Sequence, residues 1–217
     1  MEKPQHVKVK ICGLTRMEDI KAVNEYCPDF IGFVFAKSSR RYVNPEQAGL
    51  LALQARKEIC RVGVFVNSPE KQILDLVKKG VIQIIQLHGD EDENYIARLR
   101  ENLKSCGQAG EEAKIIKAFS VKNQDDIKTA GLSKADYALF DNGSGGTGKM
   151  FNWSFLKEIK KPYFLAGGIS LDNIKEALNL GEETGCPPFA LDISSGAETE
   201  GVKDRNKIEK IIRRIRE

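Results

Sequence analysis

The sequence predicts a single-domain (β/α)8 barrel, the TIM-barrel architecture, spanning residues 1–217. Short runs rich in Val, Ile and Phe occur eight times, each followed by a helical pattern, and successive strand starts lie about 20 to 30 residues apart, the length of one βα unit. Such regular alternation implies a parallel sheet with right-handed crossovers. Eight units in 217 residues make a small barrel, below the usual ~250. The competing architecture, an open doubly wound sheet, loses its main signature because no Gly-x-Gly-x-x-Gly follows the first strand.

The elements follow in order. Val7, Val9 and Ile11 alternate with Lys8, Lys10 and Cys12, which predicts a strand over 7–11 ended by Gly13. A helix over 17–26 leads to the apolar strand 30–35. Asn44 and Pro45 supply a cap and an N1 proline for helix 45–57, ahead of strand 61–66. Ser68 and Pro69 do the same for helix 69–79, and strand 82–87 follows. After helix 91–103, residues 106–112 read as an inert loop on the face opposite a barrel's active end. Strand 114–118, a short polar helix 123–130 and strand 136–140 come next, then a glycine-rich segment, 142–149. Helix 152–159 and strand 163–166 precede Gly167 and Gly168, with Ser170 as cap for helix 171–180. Strand 189–193, an irregular segment 194–201 and helix 204–215 complete the chain.

Composition narrows the function classes. Lysine and arginine total 34 against 31 acidic residues, and the net charge of +3 gives no case for a nucleic-acid surface. Most of the excess sits in the last helix, where Ile208, Ile211, Ile212 and Ile215 recur at helical spacing with basic residues between them, the pattern of a solvated amphipathic helix. Five widely spaced cysteines without a Cys-x-x-Cys pair predict reduced thiols in a cytoplasmic protein, with no zinc site. No apolar stretch is long enough for a membrane span, and the first residues lack a secretion signal's apolar region.

In a barrel, chemistry sits at the C-terminal ends of the strands. Those ends offer Lys10 and Cys12 on strand one, Gln86 and His88 on strand four, Asp141 after strand six and Asp192, Ser194 and Ser195 on strand eight. Cys12 alone reads either as a packed small hydrophobe or as a poised acid-base group, and packing is the commoner role of a buried thiol. Lys10, on the same face, is placed to favour the thiolate. Gly167 and Gly168 with Ser194, Ser195 and Gly196 resemble the phosphate cradle that barrels build from loops seven and eight, where bare N–H groups favour a dianion. The segment 142–149 lacks the order of a nucleotide-binding P-loop, since Met150 follows Lys149. Arg40 and Arg41, in the basic loop after strand two, are either solvated or available to fork onto a substrate carboxylate. With only two histidines, His6 and His88, a histidine-based nucleophilic triad has little to build on.

The segments KICGLT from Lys10, IGFVF from Ile31, SSRRYV from Ser38, VGVFVN from Val62, QLHGDE from Gln86, GGTGKMFNW from Gly145, LAGGI from Leu165 and LDISSG from Leu191 together resemble the phosphoribosylanthranilate isomerase family over nearly the whole chain. That resemblance implies a (β/α)8 barrel and an Amadori rearrangement of N-(5-phosphoribosyl)anthranilate in tryptophan biosynthesis, with a small phosphorylated substrate and no cofactor or metal. It implies Cys12 as general base and Asp141 as general acid. Arg41, not Arg40, matches the position that holds the anthranilate carboxylate. His88 and Asp192 match groups near the sugar, and Gly167, Gly168, Ser194, Ser195 and Gly196 match the phosphate loops. Asn152 departs from the family's aspartate at that position, and residues 106–112 resemble a local insertion. The alternatives are another phosphate-binding barrel enzyme, such as an indole-glycerol-phosphate synthase or a histidine-pathway sugar-phosphate isomerase, and a catalytically silent phosphate-ligand binder. A lysine–glutamate pair would suit the first and two aspartates the second, so the Cys12 and Asp141 pairing argues against both. An intact acid, base and arginine set argues against a silent binder.

Overall fold

A computed structural model of the protein describes residues 6–141 and 152–217. Eight parallel strands close into one barrel in chain order: β1 (Lys8–Cys12), β2 (Phe30–Val34), β3 (Cys60–Phe65), β4 (Ile84–Leu87), β5 (Lys114–Ser120), β6 (Tyr137–Asp141), β7 (Tyr163–Leu165) and β8 (Ala190–Ile193). Closure comes from β1 pairing with β8, in a register that sets Lys10 opposite Asp192. Around the barrel run α1 (Met17–Tyr26), α2 (Pro45–Gln54), α3 (Glu70–Lys78), α4 (Glu93–Leu103), α5 (Gln108–Glu112), α6 (Gln124–Leu132), α7 (Ile174–Thr184) and α8 (Arg205–Arg216). No described helix is long and apolar enough to cross a membrane.

Strand parity divides the core in two. Outward-facing Val9, Ile11, Ile31, Phe33 and Ile85 join the helices' apolar stripes in the layer between sheet and helices. Inward-facing Phe30, Val62, Ile84, Ile116, Leu139 and Phe164 fill the lower barrel. Lys8 caps that floor, its Nζ 4.6 Å from the Phe189 ring centroid.

Every predicted strand is present, with ends shifted by two residues or fewer. The helical segments depart from expectation where side chains found other partners. Residues 152–159 form a 3-10 helix, Trp153–Glu158, in place of an α-helix. Only a few residues separate it from β7, and a 3-10 helix covers about 2.0 Å per residue against ~1.5 Å. Residues 106–112 are not a loop: a 3-10 turn, Lys104–Cys106, leads into α5, and Cys106 donates to the Leu74 carbonyl of α3. The cap of α7 is Asn173, not Ser170, because residues 171–173 turn first; the Asn173 amide reaches back to the Gly168 carbonyl at 2.9 Å. Helix α4 begins two residues late because Glu91 is buried elsewhere, accepting from the Asn67 and Gly89 N–H groups and pairing with Lys117 at 3.3 Å. Pro69 is the cap of α3 and not its first residue, and α2 stops at Gln54, where Ala55 turns extended. Asn44 caps α2 as expected, accepting from the Gln47 N–H at 2.8 Å.

Candidate active site

At the C-terminal end of β1, Cys12 faces the barrel interior and is 7% exposed. Its neighbour across the ladder is Gly32, where a Cβ would stand 2.7 Å from the Cys12 sulfur, so only glycine leaves the thiol this position. The chain then turns through Gly13, whose φ is 83°. A Cβ there would meet the Arg41 Cδ at 2.3 Å; Arg41 lies directly across the turn that follows Cys12.

Burial pushes the Cys12 thiol above its ordinary value; Lys10 and Lys203 pull it down, and Asp192 adds to the rise. Lys10 therefore favours the thiolate, as its place on the strand suggested, without overcoming burial. The reason lies in its other partners. Lys10 is fully buried, and its Nζ donates to Gln86 Oε1 at 2.6 Å and to Asp192 Oδ2 at 2.7 Å. Burial opposes its charge, but Asp192 and Cys12 outweigh that and hold it above the usual lysine range. Asp192 thus sits inside the barrel as the counter-charge of Lys10, with Oδ1 buried and without a hydrogen-bond partner among the described residues.

Gln86 also reaches His88, its Nε2 lying 2.9 Å from Nδ1. The other ring nitrogen of His88 faces Asp141 Oδ2 at 3.7 Å. Burial, with Lys10 and Lys117, lowers the His88 pKa against the pull of Asp141 and Asp192. A neutral imidazole therefore stands beside Asp141 at neutral pH.

Arg41 is gripped by a carboxylate of the chain itself. Its Nε and Nη2 donate to Glu198 Oε1 and Oε2 at 2.5 and 2.8 Å. Arg40 bonds the same carboxylate at 2.8 Å from a more exposed position, and Lys203 joins from loop eight. Burial works against the Glu198 charge, but Arg41 and Lys203 hold its pKa below the ordinary carboxylate range. Glu198 and Lys203 escaped the sequence reading. The available signal was charge balance: two arginines and a lysine at one rim need an acid nearby, and the segment between Gly196 and Lys203 supplies few.

Loops seven and eight pack together. Gly167 and Gly168 have φ of 84° and 77°, and among the described residues their N–H groups have no backbone acceptor. A Cβ on Gly196 would stand 2.1 Å from the Ile169 carbonyl oxygen, so the two loops meet only because that residue is glycine. Ser195 and Gly196 lie in a 3-10 turn. Ser194 spends its hydroxyl on the Cys12 carbonyl at 3.1 Å, which ties loop eight to β1. All ten residues singled out beside Lys10 thus lie at or just below one end of the barrel, while the glycine-rich segment 142–149 lies outside the described residues. No group of three or more His, Cys, Asp and Glu side chains among the described residues is arranged to hold a metal ion.

The family model for N-(5'-phosphoribosyl)anthranilate (PRA) isomerase matches residues 9–214. The N-(5'-phosphoribosyl)anthranilate isomerase of Thermoanaerobacter pseudethanolicus is 42% identical, covering 97% of this chain and 98% of its own. That of Endomicrobium trichonymphae is 43% identical, over 96% and 98%. Among solved structures, the phosphoribosyl anthranilate isomerase of Thermotoga maritima superposes with a TM-score of 0.82 at 32% identity, covering 97% of this chain and 98% of that one. A second, with a TM-score of 0.79 at 31% identity over 97% and 98%, is a complex with reduced 1-(o-carboxyphenylamino)-1-deoxyribulose 5-phosphate. Matches of this extent and depth place the chain: it belongs to the N-(5'-phosphoribosyl)anthranilate isomerase family.

Proposed function

We propose that this chain isomerises N-(5-phosphoribosyl)anthranilate to 1-(2-carboxyphenylamino)-1-deoxyribulose 5-phosphate, with Cys12 as general base and Asp141 as general acid. The observation that carries the reading is the placing of an interior thiol at the end of β1 and a carboxyl at the end of β6 on one rim, beside Arg41 and the glycine loops. Asp141 donates its proton to the ribose ring oxygen as the C1–O bond breaks, and the anilino nitrogen's lone pair forms the C1=N iminium. The Cys12 thiolate then takes the C2 proton; that electron pair forms C1=C2 and the iminium pair returns to nitrogen. The resulting enolamine gives the ketone when the C2 hydroxyl loses its proton and C1 gains one. The electrons balance within the substrate, so neither cofactor nor metal is needed.

The remaining residues hold the substrate. Arg41 commits Nε–H and one Nη2–H to Glu198, which leaves the two Nη1 hydrogens and the second on Nη2 as donors toward the anthranilate carboxylate. The N–H groups of Gly167, Gly168, Ser195 and Gly196 take the phosphate, and Ser194 contributes through its backbone because its hydroxyl is engaged. His88 and the unpaired Asp192 Oδ1 face the sugar hydroxyls. The test is turnover of phosphoribosylanthranilate by the purified protein, followed by loss of anthranilate-ester fluorescence, together with rescue of a tryptophan auxotroph. Tight substrate binding without product would overturn the reading in favour of a silent binder, and unchanged fluorescence without binding would overturn it outright.

A further inference from the structure

We propose that Gln86 is a positioning residue for the isomerisation: held between Lys10 and His88, it locks the imidazole in the Nε2–H tautomer and so aims an N–H, not a lone pair, at Asp141. The inference rests on the reading of Asp141 as the acid, but the tautomer itself can be measured without turnover.

The argument is one of donors and acceptors. A lysine ammonium has three donors and no acceptor, so the Gln86 atom 2.6 Å from Lys10 Nζ must be the carbonyl oxygen. Turning the amide over would set NH2 against NH3+ inside the barrel, where neither could find water. With the oxygen fixed, the NH2 faces His88 Nδ1 at 2.9 Å. An amide NH2 only donates, so Nδ1 must be a bare acceptor, and a neutral ring then carries its proton on Nε2. Nε2 is the atom that faces Asp141 at 3.7 Å, a separation that closes to a hydrogen bond with a small side-chain movement. Protonation of the ring would place Nδ1–H against the same NH2, so the Gln86 contact and the lowered pKa of His88 act in one direction. The charged groups around His88 are Asp141, Asp192, Lys10 and Lys117. The chain Asp192–Lys10–Gln86–His88–Asp141 thus crosses the barrel from β8 to β6 through β1 and β4.

The consequence for chemistry falls after the first proton transfer. Asp141 becomes a carboxylate when it protonates the ring oxygen, and an N–H steadies that charge where a lone pair would repel it. Fixing an imidazole in the wrong tautomer has cost a hydrolase about 10⁴ in kcat, so the effect here is catalytic as well as structural.

The chain's two histidines make the measurement direct. Long-range proton–nitrogen correlation spectra of the ¹⁵N-labelled full chain should show His88 as the Nε2–H tautomer between about pH 6 and 8, with exposed His6 as the only other ring to assign. Finding His88 as Nδ1–H or as imidazolium at neutral pH overturns the proposal, whatever the enzyme turns over. Gln86→Glu keeps the side chain's shape and its Lys10 contact but presents an acceptor to Nδ1; it should flip the tautomer and lower kcat by about 10–100-fold with little change in KM. A flipped tautomer with undiminished kcat overturns the catalytic link. Gln86→Leu, which neither donates nor accepts, should give a tautomer mixture and an intermediate kcat; a pure Nε2–H ring there would mean that something other than Gln86 sets it. If the wild type turns over no phosphoribosylanthranilate, the proposed reaction fails while the tautomer result stands on its own.

Discussion

The two ends of the barrel interior are built from the same strands and do opposite things. On β4, Ile84 belongs to the apolar floor while Gln86, two residues on, bonds Lys10 and His88. On β6, Leu139 is floor and Asp141 is rim; on β8, Ala190 is floor and Asp192 is the lysine's counter-charge. The floor is closed by aromatic contacts, with Phe30 edge-on to Phe164 at 5.4 Å and Tyr137 stacked on Phe189 at 4.8 Å. The upper half buries Lys10, Gln86 and Asp192, groups that cost free energy to take from water unless they satisfy one another. One step of two residues along a strand therefore separates the apolar floor from the polar rim, and burial in the floor offsets the desolvation cost of the rim.

Substitutions at the two ends should separate cleanly. The largest effect belongs to the rim: Cys12→Ser and Asp141→Asn should each lower kcat by about 10²–10⁴-fold while the far-ultraviolet dichroism stays unchanged. Near-normal turnover in either would remove that residue from the mechanism. Next comes the buried pair. Lys10→Met leaves Asp192 uncompensated and should cost about 3–5 kcal/mol in denaturant unfolding, and Lys10→Met with Asp192→Leu should recover most of it. A double variant no more stable than the single would mean that Asp192 does not need Lys10.

The pH dependence is smaller. Because burial holds the Cys12 thiol above its ordinary value, the thiolate fraction grows as pH rises, so alkylation of Cys12 by iodoacetamide, read by mass on its peptide, should quicken about tenfold per pH unit through neutrality before levelling. A rate already level at neutral pH would show that burial does not hold this thiol protonated. Smallest of all, Ile84→Val in the floor should cost about 0.5–1.5 kcal/mol and leave kcat unchanged. A clear loss of kcat would show that the floor and the rim are coupled.

Much of this contrast was legible before folding. Period-two alternation put Lys10 with Cys12 and Gln86 with His88, and the structure turns all four side chains inward. Eight strands were readable because each carries its own Val, Ile and Phe run. Helix limits were less so: Glu91 looked like the start of α4 until Lys117, 26 residues away, claimed it. The basic loop offered Arg40 or Arg41 to a substrate carboxylate and the resemblance chose Arg41, but the carboxylate that holds it in the fold, Glu198, lies 157 residues further on and nothing local couples them.

What the sequence determined by itself is what depends on neighbours in the chain: strand parity, the length of the βα unit, the Asn44 cap, and glycines where the chain must pass close to a side chain or another loop. Tertiary structure alone decided who answers whom. Lys10 meets Asp192 across 182 residues because closing the barrel lays β1 against β8, and it meets Gln86 across 76 because the interior is narrow enough for side chains of β1 and β4 to touch. Parity fixes the direction in which a side chain points; only closure fixes the distance to what it finds there.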